Sequence, residues 1–216
     1  MITSKAQKLI LEFEGLDQPG KWPGGNSGIS LGHGYDLGFV TENEFEEDWG
    51  RYLSLEHVER LKKAIGITGL RAKALAPSFM DIRIRVQDAD AVFIDSTLPK
   101  YEEMAKHGFP GLENLPEDAY GAMVSLVYNR GADCSDTDRR KEMRNIRNCI
   151  GAYDEVNKNE ILQQIADEIR SMKRLWEGKN LGGLLRRRDA EADLVESCIT
   201  ETVGGGEVGG GDASGN

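Results

Sequence analysis

A mainly α chain of the α+β class is predicted here, with a small N-terminal lobe bearing a short β-hairpin and a larger C-terminal helical lobe. Three features predict it. Apolar residues recur at helical spacing through most of the chain after residue 40. Glycine recurs between Gly20 and Gly38, where helix potential is low and loops with a hairpin are expected. The most apolar helical stretch, around Met123, reads as a central buried helix. A ligand cleft is expected where the two lobes meet.

Taken in order, Ser4 is the expected N-cap of a first helix running to about Phe13, and residues 20–38 form the loops and hairpin. Thr41-Glu42-Asn43-Glu44 has the form of a capping box, and Gly50 ends the helix it opens. Ser54 caps the next, with Leu55, Val58, Leu61 and Ile65 on one face and a stop at Gly66. A short helix over 69–75 ends before Pro77. Asp88 or Asp90 begins a long helix carrying Val92, Phe93, Leu98 and Tyr101, bent at Pro99. Pro116, in a first-turn position, starts the central helix with Ala119, Met123, Val124, Leu126 and Val127. Helices around 138–150, 159–174 and 184–199 complete the larger lobe. The small lobe is expected over about 14–66, and the helical lobe over about 67–203 together with the first helix. A flexible tail is expected over 204–216, where glycine fills seven of thirteen positions.

At 216 residues the chain is long enough for a sizeable core, and 39% hydrophobic with 30% charged residues is ordinary for a soluble protein. The net charge of −10 argues against nucleic acid as a partner, since phosphate neutralisation needs a basic face. Charge is uneven, however. Arg170, Lys173, Arg174, Lys179, Arg186, Arg187 and Arg188 face one acid, Glu177, which suggests either a patch for an anionic glycan or a solvated helix face. Cys134, Cys149 and Cys198 lack metal-site spacing and fit free thiols, with a Cys134–Cys149 pair open if the chain is exported. The three histidines are scattered with no His-Glu-x-x-His run, so neither metal nor cofactor is expected. Gln7, Lys8, Glu12 and Glu14 interrupt the first apolar run. No cleavable signal and no membrane insertion are therefore expected.

The most informative stretch is Glu14-Gly15, which closes the run of Leu9, Ile10, Leu11 and Phe13. It is followed by Ser30-Leu31-Gly32-His33-Gly34-Tyr35-Asp36-Leu37-Gly38. Two carboxyls and a hydroxyl are what cleaving a glycosidic bond with water requires, one group donating a proton and the others placing the nucleophile. The dipole at a helix C-terminus and burial among Leu11, Phe13 and Leu16 both favour a Glu14 that keeps its proton, whereas Glu12 points to another face. Taken alone, these residues also fit a capped helix, a loop and a hairpin.

Together with two later motifs they resemble the phage-type lysozymes (glycoside hydrolase family 24), and the pesticin-like branch in particular. Ala122-Met123-Val124-Ser125-Leu126-Val127-Tyr128-Asn129-Arg130-Gly131 is similar to the family's central helix. Gly183-Leu184-Leu185-Arg186-Arg187-Arg188-Asp189-Ala190-Glu191, preceded by Trp176, is similar to its late arginine-rich helix. The resemblance covers roughly residues 5–199. It implies a lysozyme-like fold and a muramidase that cleaves the β-1,4 bond between N-acetylmuramic acid and N-acetylglucosamine, with inversion at the anomeric carbon. Glu14 carries over as general acid, Ser30 in place of the family's threonine as the hydroxyl, and Asp36, six residues after it, as the second carboxylate, with Asp17 in reserve.

Substrate contacts are expected from His33 and Tyr35 in the hairpin and from Asn129 and Arg130 on the cleft floor. The competing assignments are packing for His33 and Tyr35, and a helix C-cap with a dipole-favoured cation for Asn129 and Arg130. Trp22 has the same two readings as Tyr35, and Arg187 with Glu191 reads as an i,i+4 pair bracing the lobes. Other readings of the whole chain are an inactive lysozyme-fold phage component and a lytic transglycosylase needing only the Glu. The expected partner is peptidoglycan, met by a monomer. Made in the cytoplasm, the protein would reach the wall in the periplasm through a holin or a secretion machine, and an immunity protein would restrain it.

Overall fold

The structure, a computed structural model, describes residues 2–200, so the Gly-rich segment over 204–216 lies outside the described residues. It is mostly helical with one small antiparallel sheet, the α+β arrangement of a lysozyme-like fold. Helix α1 spans Ser4–Phe13, and its N-cap is Thr3 rather than Ser4. The Thr3 hydroxyl accepts from the Ala6 amide at 3.2 Å and donates to Asp118 at 2.6 Å, so one side chain serves both the cap and a contact far along the chain. Strands β1 (Ser30–Leu31) and β2 (Tyr35–Asp36) pair with Ser30 opposite Asp36 and Leu31 opposite Tyr35. In the turn between them Gly34 has φ +70°, and a Cβ there would stand 2.9 Å from the Tyr128 hydroxyl. Only glycine lets this turn close on the central helix.

Helix α2 (Glu42–Trp49) opens on the expected capping box, with both reciprocal bonds of Thr41 and Glu44 present. Helix α3 (Leu55–Lys62), capped by Ser54, stops four residues before Gly66, and α4 is Gly69–Leu75. Helix α5 (Val86–Val92) begins before Asp88, because Arg85 and Asp88 are joined by two bonds of 2.7 and 2.8 Å across the first turn. It continues through a widened turn, Phe93–Thr97, into α6 (Leu98–Gly108). There the Leu98 amide reaches back five residues to Phe93. This is next to Pro99, which has no N–H to give the carbonyl four residues back.

Helix α7 (Glu117–Arg130) follows Pro116 and is buried at 119 and 121–127, as expected of the central helix. Helices α8 (Lys141–Gly151), α9 (Lys158–Ser171) and α10 (Gly182–Glu196) surround it. Among the described residues no helix is long and apolar enough to cross a membrane, and all three cysteines are free.

Two apolar clusters underlie the two lobes. The larger joins α1 to α6–α10 around Met123, Leu126 and Val127. Emptying one such site, as in Leu126→Ala, costs roughly 2–5 kcal/mol. Gly121 decides how close α1 lies, since a Cβ there would be 2.3 Å from that of Ala6. The smaller cluster gathers Leu31, Tyr35, Phe45, Trp49 and Leu61, and extends past the expected boundary near 66 to Ala72, Phe79, Ala89 and Val92. Ala72 of the short α4 and Ala76, Phe79 and Ile82 after it are buried in this cluster.

Candidate active site

Glu14 is the C-cap of α1, with extended backbone (φ −100°, ψ 137°). The close packing of α1 on α7 delivers it to the place where α7 ends and α10 begins. Its Oε1 accepts from Arg187 Nη1 at 2.5 Å. Arg187 is itself 2% exposed, and its Nε donates to Glu191 Oε1 at 3.2 Å. Glu191 is fully buried and accepts also from the Ser125 hydroxyl at 2.6 Å and Arg188 Nη2 at 2.9 Å. The i,i+4 pair expected from spacing is present. What sequence reasoning missed is that Arg187 continues to Glu14, fixing its carboxylate by a charge-assisted bond.

Phe13, Glu14, Asn129, Arg187 and residues 180–184 line an open cavity of 360 Å³. Asn129 is exposed, and its Oδ1 accepts from Arg188 Nη2 at 3.2 Å. With the oxygen so used, and the amide assigned from that bond, the NH₂ remains for a ligand. A second cavity of 210 Å³ shares Asn129 and Leu184 and adds Arg130, Arg139, Arg140 and Trp176. Asn129 thus lines both cavities, and Arg130 lines the second alone. Trp176 and residues 180–184 were not foreseen as lining, although Trp176 immediately precedes the late motif.

The hairpin residues are placed differently. Ser30, His33, Tyr35 and Asp36 do not line the cavity at Glu14, whose walls come from the helical lobe. Ser30 is 4% exposed and directly opposite Asp36. The Asp36 carboxylate accepts from the Gly38 amide at 2.8 Å and from Gly28 at 2.9 Å, capping the turn Leu37–Phe39. The Asx-type reading of this residue is therefore present in the structure.

Tyr35 needs a correction. Strand alternation puts it with Leu31 on the opposite side from Ser30 and Asp36, so its ring packs on Trp49 at 5.9 Å and its hydroxyl donates to Asp48 at 2.8 Å. It belongs to the small-lobe core. Trp22 is half-buried beside the same core, its indole N–H bonded to Ser27 O. His33 is 6% exposed, with Nδ1 3.1 Å from Gly15 O and Nε2 2.7 Å from Asp90 Oδ1. Its own carbonyl accepts from the Tyr128 hydroxyl at 3.0 Å. It ties the residue after Glu14 to α5 and α7, which is a packing role.

Asp17 lies beside this turn, exchanging backbone bonds of 2.7 and 3.0 Å with Gly32. Burial pushes its carboxyl above the usual range. The nearby Asp36 adds to this, and His33 opposes it. The folded state therefore holds its proton to higher pH than the unfolded chain. Stability falls as pH rises through that window, and the full penalty remains above it. Asp17→Asn is expected to raise the melting temperature at pH 7, with the gain fading below the ordinary value near 3.8. Equal gains at pH 7 and pH 3, measured by calorimetry, would contradict this account.

The basic run over 170–188, for which a glycan-facing patch and a solvated helix face were both open, is mostly paired with acids. Arg170 binds Asp193 and Glu196, Lys173 binds Asp189, and Arg174 binds Asp138 and Glu142. Arg187 and Arg188 are buried with Glu191. Among the described residues only Lys179 and Arg186 of the run lack an acidic partner.

A two-lobed, mainly helical fold with a carboxylate held at the edge of an open cleft is the arrangement of a lysozyme-type glycosidase. The chain belongs to the phage lysozyme family, whose model matches residues 57–191, and its class of activity is peptidoglycan hydrolysis. The matched stretch holds Asn129, Arg130, Trp176, Arg187 and Glu191, whereas Glu14, Ser30 and Asp36 precede it. No curated protein gives a significant match to the chain.

Proposed function

We propose that the protein is a muramidase that cleaves the β-1,4 bond between N-acetylmuramic acid and N-acetylglucosamine, lysing the bacterial wall. The observation that carries this reading is Glu14, at the rim of an open cavity with one oxygen held by a buried guanidinium. Glu14 delivers its proton to the glycosidic oxygen as the bond to the anomeric carbon breaks. The carboxylate left behind is met by Arg187, already in place, so the charge created by the step has a partner without reorganisation.

Asp36 and Ser30, opposite one another on the hairpin, hold the attacking water on the other face of the sugar. Inversion needs room for that water, a carboxyl separation of roughly 6.5–9.5 Å. This order, hydroxyl first and aspartate six residues later, is the pesticin-like one. A second reading gives the water to Asp17, because both Asp36 oxygens are engaged by backbone amides. The enzyme works as a monomer in the periplasm, brought from the cytoplasm by a holin or secretion machine and restrained in its producer by an immunity protein.

Mass spectrometry of fragments from purified peptidoglycan tests the reaction. Hydrolysed reducing ends at muramic acid are expected. Anhydro ends would point to a lytic transglycosylase, and no cleavage to a lysozyme-fold binding protein. For the second carboxylate, Asp36→Asn is expected to reduce turnover by roughly 10²-fold or more with little change in substrate binding, the signature of a transition-state interaction. Asp17→Asn should cost little, since on this reading Asp36 alone supplies the second carboxylate. The reverse ranking moves the role to Asp17, and near-parent rates in both favour the single-Glu mechanism.

A further inference from the structure

Tyr128 stands near the C-terminal end of α7, half-buried, and lines neither cavity. Its two ends serve different lobes. The hydroxyl donates to His33 O at 3.0 Å, a bond between residues 95 apart that lands in the turn of the hairpin. The ring sits against the helical lobe, edge to face with Phe93 at 5.5 Å and with Tyr101 at 4.6 Å. The Arg187 guanidinium is 5.8 Å from its centre, and the same guanidinium holds Glu14 Oε1. Beyond His33 the chain runs directly into Tyr35 and Asp36 of β2. One side chain thus connects the group that fixes the acid to the turn that leads into the second carboxylate.

Other ties on this turn run elsewhere. Gly15 O meets His33 Nδ1, Asp17 exchanges amide bonds with Gly32, and His33 Nε2 meets Asp90. These bonds hold the hairpin to the chain leaving α1 and to α5, and Tyr128 adds the tie to α7. Gly34 leaves the space that the hydroxyl occupies, since a Cβ there would stand 2.9 Å from it. Burial pushes the phenol above its ordinary range, with Glu14 and Tyr101 adding to the shift and Arg187 opposing it. The hydroxyl therefore keeps its proton and remains a donor.

We propose that Tyr128 is a positioning residue for the glycosidase reaction: through its bond to His33 O it sets the hairpin bearing Ser30 and Asp36 against the Arg187–Glu14 pair. The inference rests on the muramidase reading with Asp36 as the second carboxylate. Inversion needs the two carboxyls at a spacing that admits one water, and a misplacement of about 1 Å can cost roughly 10²-fold in rate. A hydrogen bond at the hairpin turn acts on that spacing without touching the sugar. Its loss belongs to turnover and not to substrate binding.

Tyr128→Phe deletes the hydroxyl and keeps the ring on Phe93, Tyr101 and Arg187, so the fold survives. Initial rates on soluble, uncross-linked glycan strands from purified peptidoglycan are expected to show kcat lower by about tenfold or more, with KM within about twofold. Ile165→Val, which trims a fully buried residue of α9, is the control for lost stability alone and should keep the parent kcat. Coupling to Asp36 separates positioning from packing. In an Asp36→Asn background the hydroxyl has no carboxylate left to place, so adding Tyr128→Phe should lower kcat by less than about twofold. A parent kcat in Tyr128→Phe, an equal loss in Ile165→Val, or a full further loss in the double variant overturns the proposal. Each of these leaves the muramidase reading standing, because the parent still releases hydrolysed ends. That reading fails separately, if the parent releases none, and the proposal then falls with it.

Discussion

Glu14→Gln is expected to abolish wall lysis while leaving the fold intact, with a loss of roughly 10²–10⁴-fold or more, the scale of a missing general acid. The amide keeps the shape of the side chain and can still accept from Arg187 Nη1, so the α1–α10 contact survives in neutral form. What disappears is the proton that the leaving oxygen needs. Glu12, exposed two residues earlier, is the control, and Glu12→Gln should match the parent. Lysis of purified wall, followed by turbidity with circular dichroism on the same samples, checks both. An active, folded Glu14→Gln would remove Glu14 from the chemistry.

The largest expected effect on stability belongs to Glu191. It is fully buried between Arg187 and Arg188, which are 2% and 0% exposed, and it accepts from both as well as from Ser125. Arg188 Nε and Nη1 already lack partners, and burial pushes that guanidinium below its ordinary range. Glu191→Leu leaves the buried cations with Glu14 as the one remaining carboxylate in contact. Removing one partner of a buried pair costs about 3–5 kcal/mol. In a domain of this size that corresponds to a fall in melting temperature of roughly 6–20 °C. Glu191→Gln, which keeps an acceptor, should lose less. A Glu191→Leu protein that melts within about 2 °C of the parent would show that the network contributes little.

The same cluster shows how site and stability are linked. Arg187 holds Glu14 with one nitrogen and Glu191 with another, so loosening Glu191 frees the guanidinium that orients the acid. Activity in Glu191→Gln is expected to fall further than its stability alone explains, through turnover rather than substrate binding.

Much of the fold is legible in the sequence because it depends on residues that are neighbours along the chain. The capping box at Thr41 and Glu44 spans three residues, Ser54 caps His57, and the buried run of α7 follows from apolar density alone. The hairpin follows from glycines that allow its turn. Glu14, Asn129 and Arg130 can likewise be singled out, by position at helix ends and by resemblance.

Other features depend on contacts that spacing does not contain. Tyr35 reads in the sequence as either a sugar contact or a core residue and is core in the fold, because strand pairing fixes which side of the hairpin faces Trp49. The run over 170–188 reads as cationic but is mostly spent on acids of α8 and α10 and of the turn at Asp138. Positive charge gathers as well at Arg130, Arg139 and Arg140, where the turn Asp138–Arg140 meets the end of α7 and Arg140 pairs with Asp133. The bond from Arg187 to Glu14 joins residues 173 apart. Local sequence can specify a helix and its cap, since those bonds close within a turn. Which carboxylate a buried arginine meets is decided only when α1, α7 and α10 pack, because the cost of burying a charge is offset only by the particular partner that packing brings within reach.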